Sequence, residues 1–153
     1  MATVYSIQKT IWDQDDPSDF VDPNTNGKVR VAYGEYEAAS LSASDVIEMF
    51  NLPDNARVVG GYLYNDALGA STTLSVGHGA YNNADGTAVS LDADEFLAAT
   101  STSSAGRNDI AATLALGGGS VVDADKDGYP VTVTLAGASA TGTIALMMFY
   151  VVE

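Results

Sequence analysis

The alternation of apolar and polar residues is clearest near the C-terminus, over residues 131–153. Residues 131–135 read Val-Thr-Val-Thr-Leu, so apolar side chains recur at every second position, as in a strand with one buried face. The small residues that follow include two glycines and predict a turn. A second strand follows over residues 143–152. We therefore predict a C-terminal hairpin and expect the rest of the fold to be organised around it.

The second strand of this hairpin is apolar on both faces. Its even positions are apolar from Ile144 to Val152, whereas its odd positions begin small and polar and end bulky and apolar. A strand that is apolar on both faces is covered on both sides. One cover is the core, and the other is either a local helix or loop or a neighbouring chain. We assign Met147, Phe149 and Val151 to a subunit interface, with small helices as the alternative cover.

Further strands follow from the same pattern of alternation. The clearest covers residues 28–37, in which Val29, Val31 and Tyr33 are expected to face the core. Shorter strands are predicted at residues 57–66, 71–78, 110–116 and 120–122.

Two segments instead carry helix signals. Residues 45–48 read Asp-Val-Ile-Glu, with Ser44 or Asp45 as the N-cap and Pro53 as the end of the helix. Residues 92–95 read Asp-Ala-Asp-Glu, which matches a capping box, and Phe-Leu-Ala-Ala continues the pattern for about two turns. We predict a short helix at each place.

These elements predict an all-β fold with two short helices. Several short strands at close spacing, without a linker or a repeat, favour a single-domain β-sandwich over residues 28–153. Jelly-roll topology is one arrangement of such a sandwich, and a barrel is the alternative.

Residues 1–27 are set apart as an N-terminal arm and an acidic loop. Residues 3–12 alternate weakly, which fits either an arm lying on another subunit or an edge strand. Residues 13–27 hold five aspartates, two prolines and an Asn-Thr-Asn-Gly run, which are turn signals. The aspartates could grip a cation or a basic patch on a partner, but a solvated loop is the simpler interpretation.

The charge of the chain excludes several classes of function. It carries 20 acidic and 6 basic residues, for a net charge of -14. Binding to nucleic acid or to an anionic membrane needs clustered Lys and Arg, which this chain lacks. There is no cysteine, so disulfides and thiol chemistry are excluded. The start of the chain does not resemble a signal peptide, and the longest apolar run is shorter than the ~20 residues of a membrane span. We expect a soluble protein made in a cytoplasm.

One acidic segment resembles part of a calcium site. Asp123, Asp125 and Asp127 alternate and precede Gly128, as in the first half of a calcium-binding loop. The match ends there, because Thr134 stands where a bidentate Glu is needed. The alternative is an acidic turn, for which Asp and Gly are ordinary residues.

Catalytic chemistry finds little support in the sequence. His78 is the only histidine and is flanked by glycines, there is no G-x-S-x-G motif, and a metalloenzyme would want several imidazoles. We predict that the chain is not an enzyme. Tyr62, Tyr64, Tyr81 and Trp12 could form a platform for sugar stacking, although tyrosines on strands more often belong to a core or an interface.

The succession of segments resembles a family of small β-rich structural proteins of tailed bacteriophages and prophages, several of which are capsid decoration or head-associated proteins. The resemblance covers roughly residues 28–152, and it lies in the order of the segments rather than in any single motif. The segments are Gly34-Glu-Tyr-Glu-Ala, Ser44-Asp-Val-Ile, Leu52-Pro with Ala56-Arg-Val-Val-Gly, Asp66-Ala-Leu-Gly with Ser71-Thr-Thr-Leu-Ser-Val-Gly, Asp94-Glu-Phe-Leu-Ala-Ala, and Val131-Thr-Val-Thr with Gly142-Thr-Ile.

This resemblance implies a non-enzymatic virion protein. The expected function is that of a decoration protein that is made in the host cytoplasm, sits on the capsid surface, and binds the major capsid protein and its own copies, with a trimer as the favoured oligomer. High negative charge agrees with this, because it keeps free copies apart until complementary patches meet. The alternative function is a carbohydrate-binding or adhesin-like β-sandwich module, assisted by calcium at the Asp123 loop.

Overall fold

The computed structural model describes residues 28–152, which form ten β-strands and one short 3-10 turn at Leu114–Leu116. The strands are β1 (Arg30–Leu41), β2 (Val46–Leu52), β3 (Ala56–Asn65), β4 (Thr72–His78), β5 (Tyr81–Asn82), β6 (Ala88–Val89), β7 (Asp92–Ser101), β8 (Gly106–Ile110), β9 (Tyr129–Gly137) and β10 (Ala140–Val152). The prediction of an all-β fold is confirmed.

Eight of these strands build two antiparallel sheets. The first sheet has the order β1-β10-β3-β8 and the second has the order β2-β9-β4-β7, while β5 and β6 pair only with each other. Both sheets contribute to one cluster of buried side chains, with Leu63, Leu146 and Met148 from the first and Val76 and Val133 from the second. The two sheets therefore enclose a common core.

The two strands predicted at the C-terminus are both present, but they do not form a hairpin. β9 lies between β2 and β4, whereas β10 lies between β1 and β3 in the other sheet. The chain crosses between the sheets after Gly137, whose φ of 87° is easily reached only by a residue without a Cβ. Ile144, Leu146 and Met148 are fully buried, which confirms the predicted core face of β10.

The two predicted helices are wrong, because both segments are strands. Residues 45–48 lead into β2, which pairs with β9, and residues 92–99 belong to β7, which pairs with β4. A helix of one or two turns is marginal by itself, so strand pairing decides the structure. The Asp45 carboxylate accepts the backbone N–H of Ser42 at 2.8 Å and thereby closes a turn before β2 instead of capping a helix.

The strands predicted at residues 110–116 and 120–122 are also wrong. β8 ends at Ile110, and the 3-10 turn occupies part of the first segment. In the second segment, Val121 makes only an isolated bridge with Arg57.

The orientation of β1 differs from the predicted one. Val29, Val31 and Tyr33 were expected to face the core, but all three are exposed. The other side of β1 faces inward, and there Gly34 lies directly against the backbone of Met49. There is no room for a side chain at Gly34 itself, and the large side chains of Val31 and Tyr33 lie on the outer side.

The Gly60-Gly61 pair in β3 marks a bulge and a close approach. The register of β3 against β10 shifts between Phe149 and Tyr150, next to Gly60. A Cβ on Gly61 would collide with the carbonyl oxygen of Met147. The two glycines thus let β3 lie tightly on β10, the strand at the centre of the sheet.

Two buried threonines connect the start of β4 with the turn after β7. The Thr102 hydroxyl donates to the Thr72 hydroxyl at 3.1 Å, and the Thr72 hydroxyl donates to the carbonyl oxygen of Gly69 at 2.8 Å. The backbone N–H of Thr102 also donates to the carbonyl oxygen of Thr72 at 3.0 Å. Since both threonines are inaccessible to solvent, these bonds satisfy polar groups that water cannot reach.

Candidate interaction surface

Three strands of the first sheet bring large apolar side chains together on the face turned away from the core. Val31 lies opposite Phe149, Tyr33 lies opposite Met147, and Met147 lies opposite Tyr62. Directly opposed residues of antiparallel strands place their side chains on the same face of the sheet. We call this surface the aromatic face, and it consists of Val31, Tyr33, Tyr62, Tyr64, Met147 and Phe149.

The aromatic face is open to solvent on the side of β1. Val31 and Tyr33 are each 54% exposed, and β1 is an edge strand. Tyr62 lies at the centre, where its ring packs edge-on against Phe149 at 5.8 Å and against Tyr64 at 6.1 Å. Neighbouring apolar side chains that are exposed in this way make the face a candidate interaction site.

Charged residues lie beside the aromatic face, and one of them, Arg107, also covers the ring of Tyr62. The guanidinium carbon of Arg107 lies 4.6 Å from the centre of the Tyr62 ring, and Arg107 also pairs with Asp109 at 3.8 Å. The Tyr33 hydroxyl donates to the Glu35 carboxylate at 2.6 Å, and this hydrogen bond raises the pKa of Tyr33 above its ordinary value. The pairs Val31 with Phe149 and Tyr33 with Met147 therefore form uncharged rows. Arg107, Asp109 and Glu35 lie beside these rows.

A groove continues the aromatic face beyond Tyr64. Its volume is about 400 Å³, and Ala145, Thr143 and Gly106 contribute to its walls. Asp66 stands at the same place, and its carboxylate accepts the backbone N–H of Thr143 at 3.0 Å. This hydrogen bond thus fixes the backbone near the start of β10.

The predicted interface residues fall in two different environments. Met147 and Phe149 are half-buried on the aromatic face, whereas Val151 is buried, with 8% of its surface exposed. The small helices that were the alternative cover are strands, so they do not shield this face. The role of these three residues as an interface stays a prediction.

Sequence reasoning missed most of the aromatic face. Tyr62 and Tyr64 were considered for sugar stacking, with a general core or interface role as the alternative, and Val31 and Tyr33 were expected to face the core. The available signal was on the opposite side of β1, where the small residues Ala32 and Gly34 flank Tyr33 in the sequence. Small residues indicate the side on which another element packs closely.

The aspartates of the predicted calcium loop are engaged in separate contacts. Asp123 accepts the backbone N–H of Ala84 at 3.1 Å, Asp125 accepts that of Asp127 at 2.9 Å, and Asp127 pairs with Lys126 at 2.6 Å. Within residues 28–152, no group of three or more His, Cys, Asp or Glu side chains is placed to hold a metal ion. The arrangement fits the alternative of an acidic turn, and calcium binding stays a prediction.

This loop borders a polar cleft of about 320 Å³. Asp125 and Asp127 lie on one side of the cleft, and Glu48, Asn51 and Tyr81 also line it. The cleft is separate from the aromatic face, because its residues come from the second sheet and the loops beside it.

His78 belongs to a packed aromatic cluster. Its ring centre lies 5.3 Å from that of Tyr81 and 5.0 Å from that of Tyr129, and its Nδ1 is 2.8 Å from the carbonyl oxygen of Gly79. Burial, followed by nearby negative charges, raises the pKa of Tyr129 strongly and that of Tyr81 to a lesser degree. Tyr81 therefore does not share a platform with Tyr62 and Tyr64.

Several predicted features lie outside residues 28–152. They are the N-terminal arm, the aspartate cluster of residues 13–22, and Trp12. Among the residues that are described, no helix has the length and apolar character needed to cross a membrane.

Comparison with solved structures finds similar chains in bacteriophage capsids. A chain in the capsid of Ralstonia phage GP4 is 27% identical, with a TM-score of 0.62, and the match covers 83% of this chain and 86% of that one. A chain in the cyanophage Pam1 capsid asymmetric unit is 22% identical over the same shares, with a TM-score of 0.59. A chain in the acidic stable capsid structure of Helicobacter pylori bacteriophage KHP30 is 16% identical, with a TM-score of 0.52, over 81% and 87% of the two chains. No protein-family model and no curated protein matches this chain.

Proposed function

We propose that this chain, which is similar to β-rich structural proteins of bacteriophage capsids, is a non-enzymatic decoration protein on the outer surface of a phage head. The observation that carries the proposal is the 27% identity to a chain of the Ralstonia phage GP4 capsid over 83% of this chain. Similar shares of both chains are matched, so that capsid chain is about as long as this one. This similarity in length supports the proposal of a small capsid component.

The order of the strands supports a jelly roll as the fold of this component. β1 pairs with β10, β2 with β9, β3 with β8, and β4 with β7. The first strand thus meets the last, and this pairing continues inward along the chain through all eight strands of the two sheets. A jelly roll consists of eight strands arranged in two Greek keys, and this fold occurs in viral capsid proteins.

The charge of the chain favours the outer surface over the inner one. A packaged genome is a dense polyanion, and proteins that face it need Lys and Arg to replace its counterions. A chain with a net charge of -14 would be repelled from that surface. The same charge attracts the chain to basic patches, which we propose the major capsid protein presents on its outer side.

A carbohydrate-binding module is the second candidate. The exposed Tyr64 beside the groove of about 400 Å³ is the observation in its favour. Two contacts weigh against it, because Arg107 covers a face of the Tyr62 ring and Tyr81 packs in a different cluster. Stacking of a sugar needs a free aromatic face, so Tyr64 alone would have to supply it.

The proposed function is tested by adding the purified chain to shells assembled from the major capsid protein alone. We expect saturable co-sedimentation at low salt that weakens as salt is raised, because complementary charge drives the contact. Mass spectrometry of purified virions should find the chain in many copies. Absence of the chain from virions, together with no binding to shells, would exclude the decoration function, and binding of glycans by a monomer would favour the second candidate.

A further inference from the structure

We infer that the aromatic face is the surface through which copies of this chain bind one another. The inference deepens the proposed function and rests on it, since a decoration protein is expected to assemble with its own copies. It assigns the face to a second copy rather than to the shell, and the reason is the distribution of charge.

Two copies of this chain repel each other over most of their surface. Each carries a net charge of -14, and like charges brought together at an interface cost free energy. Contact between copies is therefore least costly where the surface carries little charge. On the aromatic face, Val31, Tyr33, Met147 and Phe149 form adjacent uncharged rows.

Few charges border these uncharged rows. Arg107 lies over the ring of Tyr62 and 3.8 Å from Asp109, so these two opposite charges balance each other. Glu35 keeps its negative charge while it accepts the hydroxyl of Tyr33, and a second copy that covers the face has to accommodate that charge. Contacts with a basic shell gain most from strongly acidic surfaces, and the uncharged rows are not such a surface.

The composition and order of the face also fit a contact between proteins. Tyrosine, phenylalanine, methionine and arginine are enriched in the centres of interfaces, where they carry much of the binding energy. Here the rings of Tyr62, Tyr64 and Phe149 hold each other edge-on, so little side-chain freedom is lost on binding. Val31 and Tyr33, on the edge strand, are the most exposed part of the face.

The test compares single charges placed on the two sheets of the full-length chain. Val31→Glu and Tyr33→Glu each place a charge on the aromatic face at a side chain that is 54% exposed. Val46→Glu is the matched control, because Val46 is 47% exposed and also lies on an edge strand, in the second sheet. Circular dichroism and thermal melting establish that each variant is folded, and sedimentation velocity over a range of concentrations gives the oligomeric state.

We expect the wild type and Val46→Glu to form the same oligomer. Val31→Glu and Tyr33→Glu should shift the equilibrium toward the monomer, with a dissociation constant raised at least about tenfold, since each buries an unpaired charge in the contact. The inference is overturned by a wild type that is monomeric at all concentrations. It is also overturned by folded variants that keep the oligomer, which would leave residues 1–27 or the shell as the occupant of the face.

Binding to shells separates the failure of this inference from the failure of the proposed function. A monomer that still binds shells would refute the interface between copies and leave the decoration function standing. If Val31→Glu disrupts the oligomer and the wild type does not bind shells, the interface between copies would be supported and the decoration function refuted. Loss of shell binding in Val31→Glu with the oligomer intact would reassign the aromatic face to the shell.

Discussion

Gly34 of β1 lies against Met49 of β2 so closely that a Cβ on Gly34 would be 2.8 Å from the carbonyl oxygen of Met49 and 3.2 Å from its Cβ. This contact joins the edge strands of the two sheets. It leaves no room for a side chain at Gly34 on the inner side of β1, whereas Val31 and Tyr33 lie on the outer side. The orientation of β1 that exposes the aromatic face is thus linked to a close contact on the opposite side of the strand.

The first prediction tests this contact with Gly34→Ala. The added methyl group must displace the backbone of Met49, so we expect the free energy of unfolding to fall by about 1–3 kcal/mol, the usual cost of overpacking. Urea denaturation followed by circular dichroism measures the change. Gly106→Ala is the control, because no atom lies within 4 Å of its Cβ position, and it should change stability by less than about 0.5 kcal/mol. Equal effects of the two substitutions would mean that the strands separate at no cost.

The orientation of β1 shows what alternation can and cannot predict. The pattern Val-Arg-Val-Ala-Tyr-Gly correctly indicates a strand, but it does not decide which of its two sides faces the core. Hydrophobicity alone favours Val31 and Tyr33 as the inner residues, and packing against Met49 reverses that choice. For β10 the sequence did predict which side faces the core, because Ile144, Leu146 and Met148 form an uninterrupted apolar series on one side.

The two wrong helices have a different origin. The aspartates that resembled helix caps do form local hydrogen bonds with the backbone. The Asp45 carboxylate accepts the N–H of Ser42, and the Asp92 carboxylate accepts the N–H of Asp94 at 3.1 Å. Such contacts also close turns at the start of strands. Whether the following residues become helix or strand is settled by distant partners, β9 for β2 and β4 for β7, which a local pattern does not contain. The aromatic face was missed for the same reason, because it combines β1, β3 and β10.

The second prediction concerns the buried pair Thr72 and Thr102. Thr72→Val removes the acceptor of the Thr102 hydroxyl and the donor to Gly69, so a buried O–H is left without a partner. We expect a loss of about 1–3 kcal/mol in the free energy of unfolding. Thr102→Val should cost less, because Thr72 keeps its own bond to Gly69. Denaturation of both single variants and of the double variant gives the coupling energy between the two hydroxyls.

The double variant is the informative control for this prediction. Once both hydroxyls are methyl groups, no buried O–H lacks an acceptor, so Thr72→Val with Thr102→Val should be less destabilised than the sum of the single variants. Strict additivity would show that the 3.1 Å contact between the hydroxyls does not stabilise the fold.

The third prediction follows from the burial of Tyr129, which is 6% exposed. Burial first, and then the neighbouring Tyr81, Glu95 and Asp92, raise the pKa of Tyr129 above its ordinary value of 10.0. A group whose pKa is higher in the folded state contributes its full stability below the unfolded pKa, and the contribution is lost as pH rises above that value. The protein should therefore lose stability above pH 10.0 in part because Tyr129 must ionise on unfolding.

Thermal melting at increasing pH checks this in Tyr129→Phe. Near neutral pH the variant should lie within about 1 kcal/mol of the wild type, because the ring still packs against His78 and Phe96. Above pH 10.0 it should lose less stability than the wild type. Tyr36→Phe serves as the control, since Tyr36 is exposed, and it should follow the wild type throughout. A parallel decline of all three proteins would contradict the role of Tyr129.

The fourth prediction decides between a calcium site and a turn at residues 123–128. Asp125 stabilises the turn directly, because its carboxylate accepts the N–H of Asp127 at 2.9 Å and its carbonyl oxygen accepts that of Gly128 at 3.0 Å. Asp125→Ala removes the first of these bonds, so we expect a loss of about 1 kcal/mol, equal in the presence of calcium and of a chelator. Thermal melting under both conditions measures it, with Asp85→Ala as a control in a neighbouring loop that makes its own bond to Thr87. The opposite outcome is that calcium raises the melting temperature of the wild type and of Asp85→Ala but not of Asp125→Ala. The loop would then be a binding site. In that case the carboxylate of Asp123 would have to leave Ala84, and that of Asp127 would have to leave Lys126, to converge on the ion.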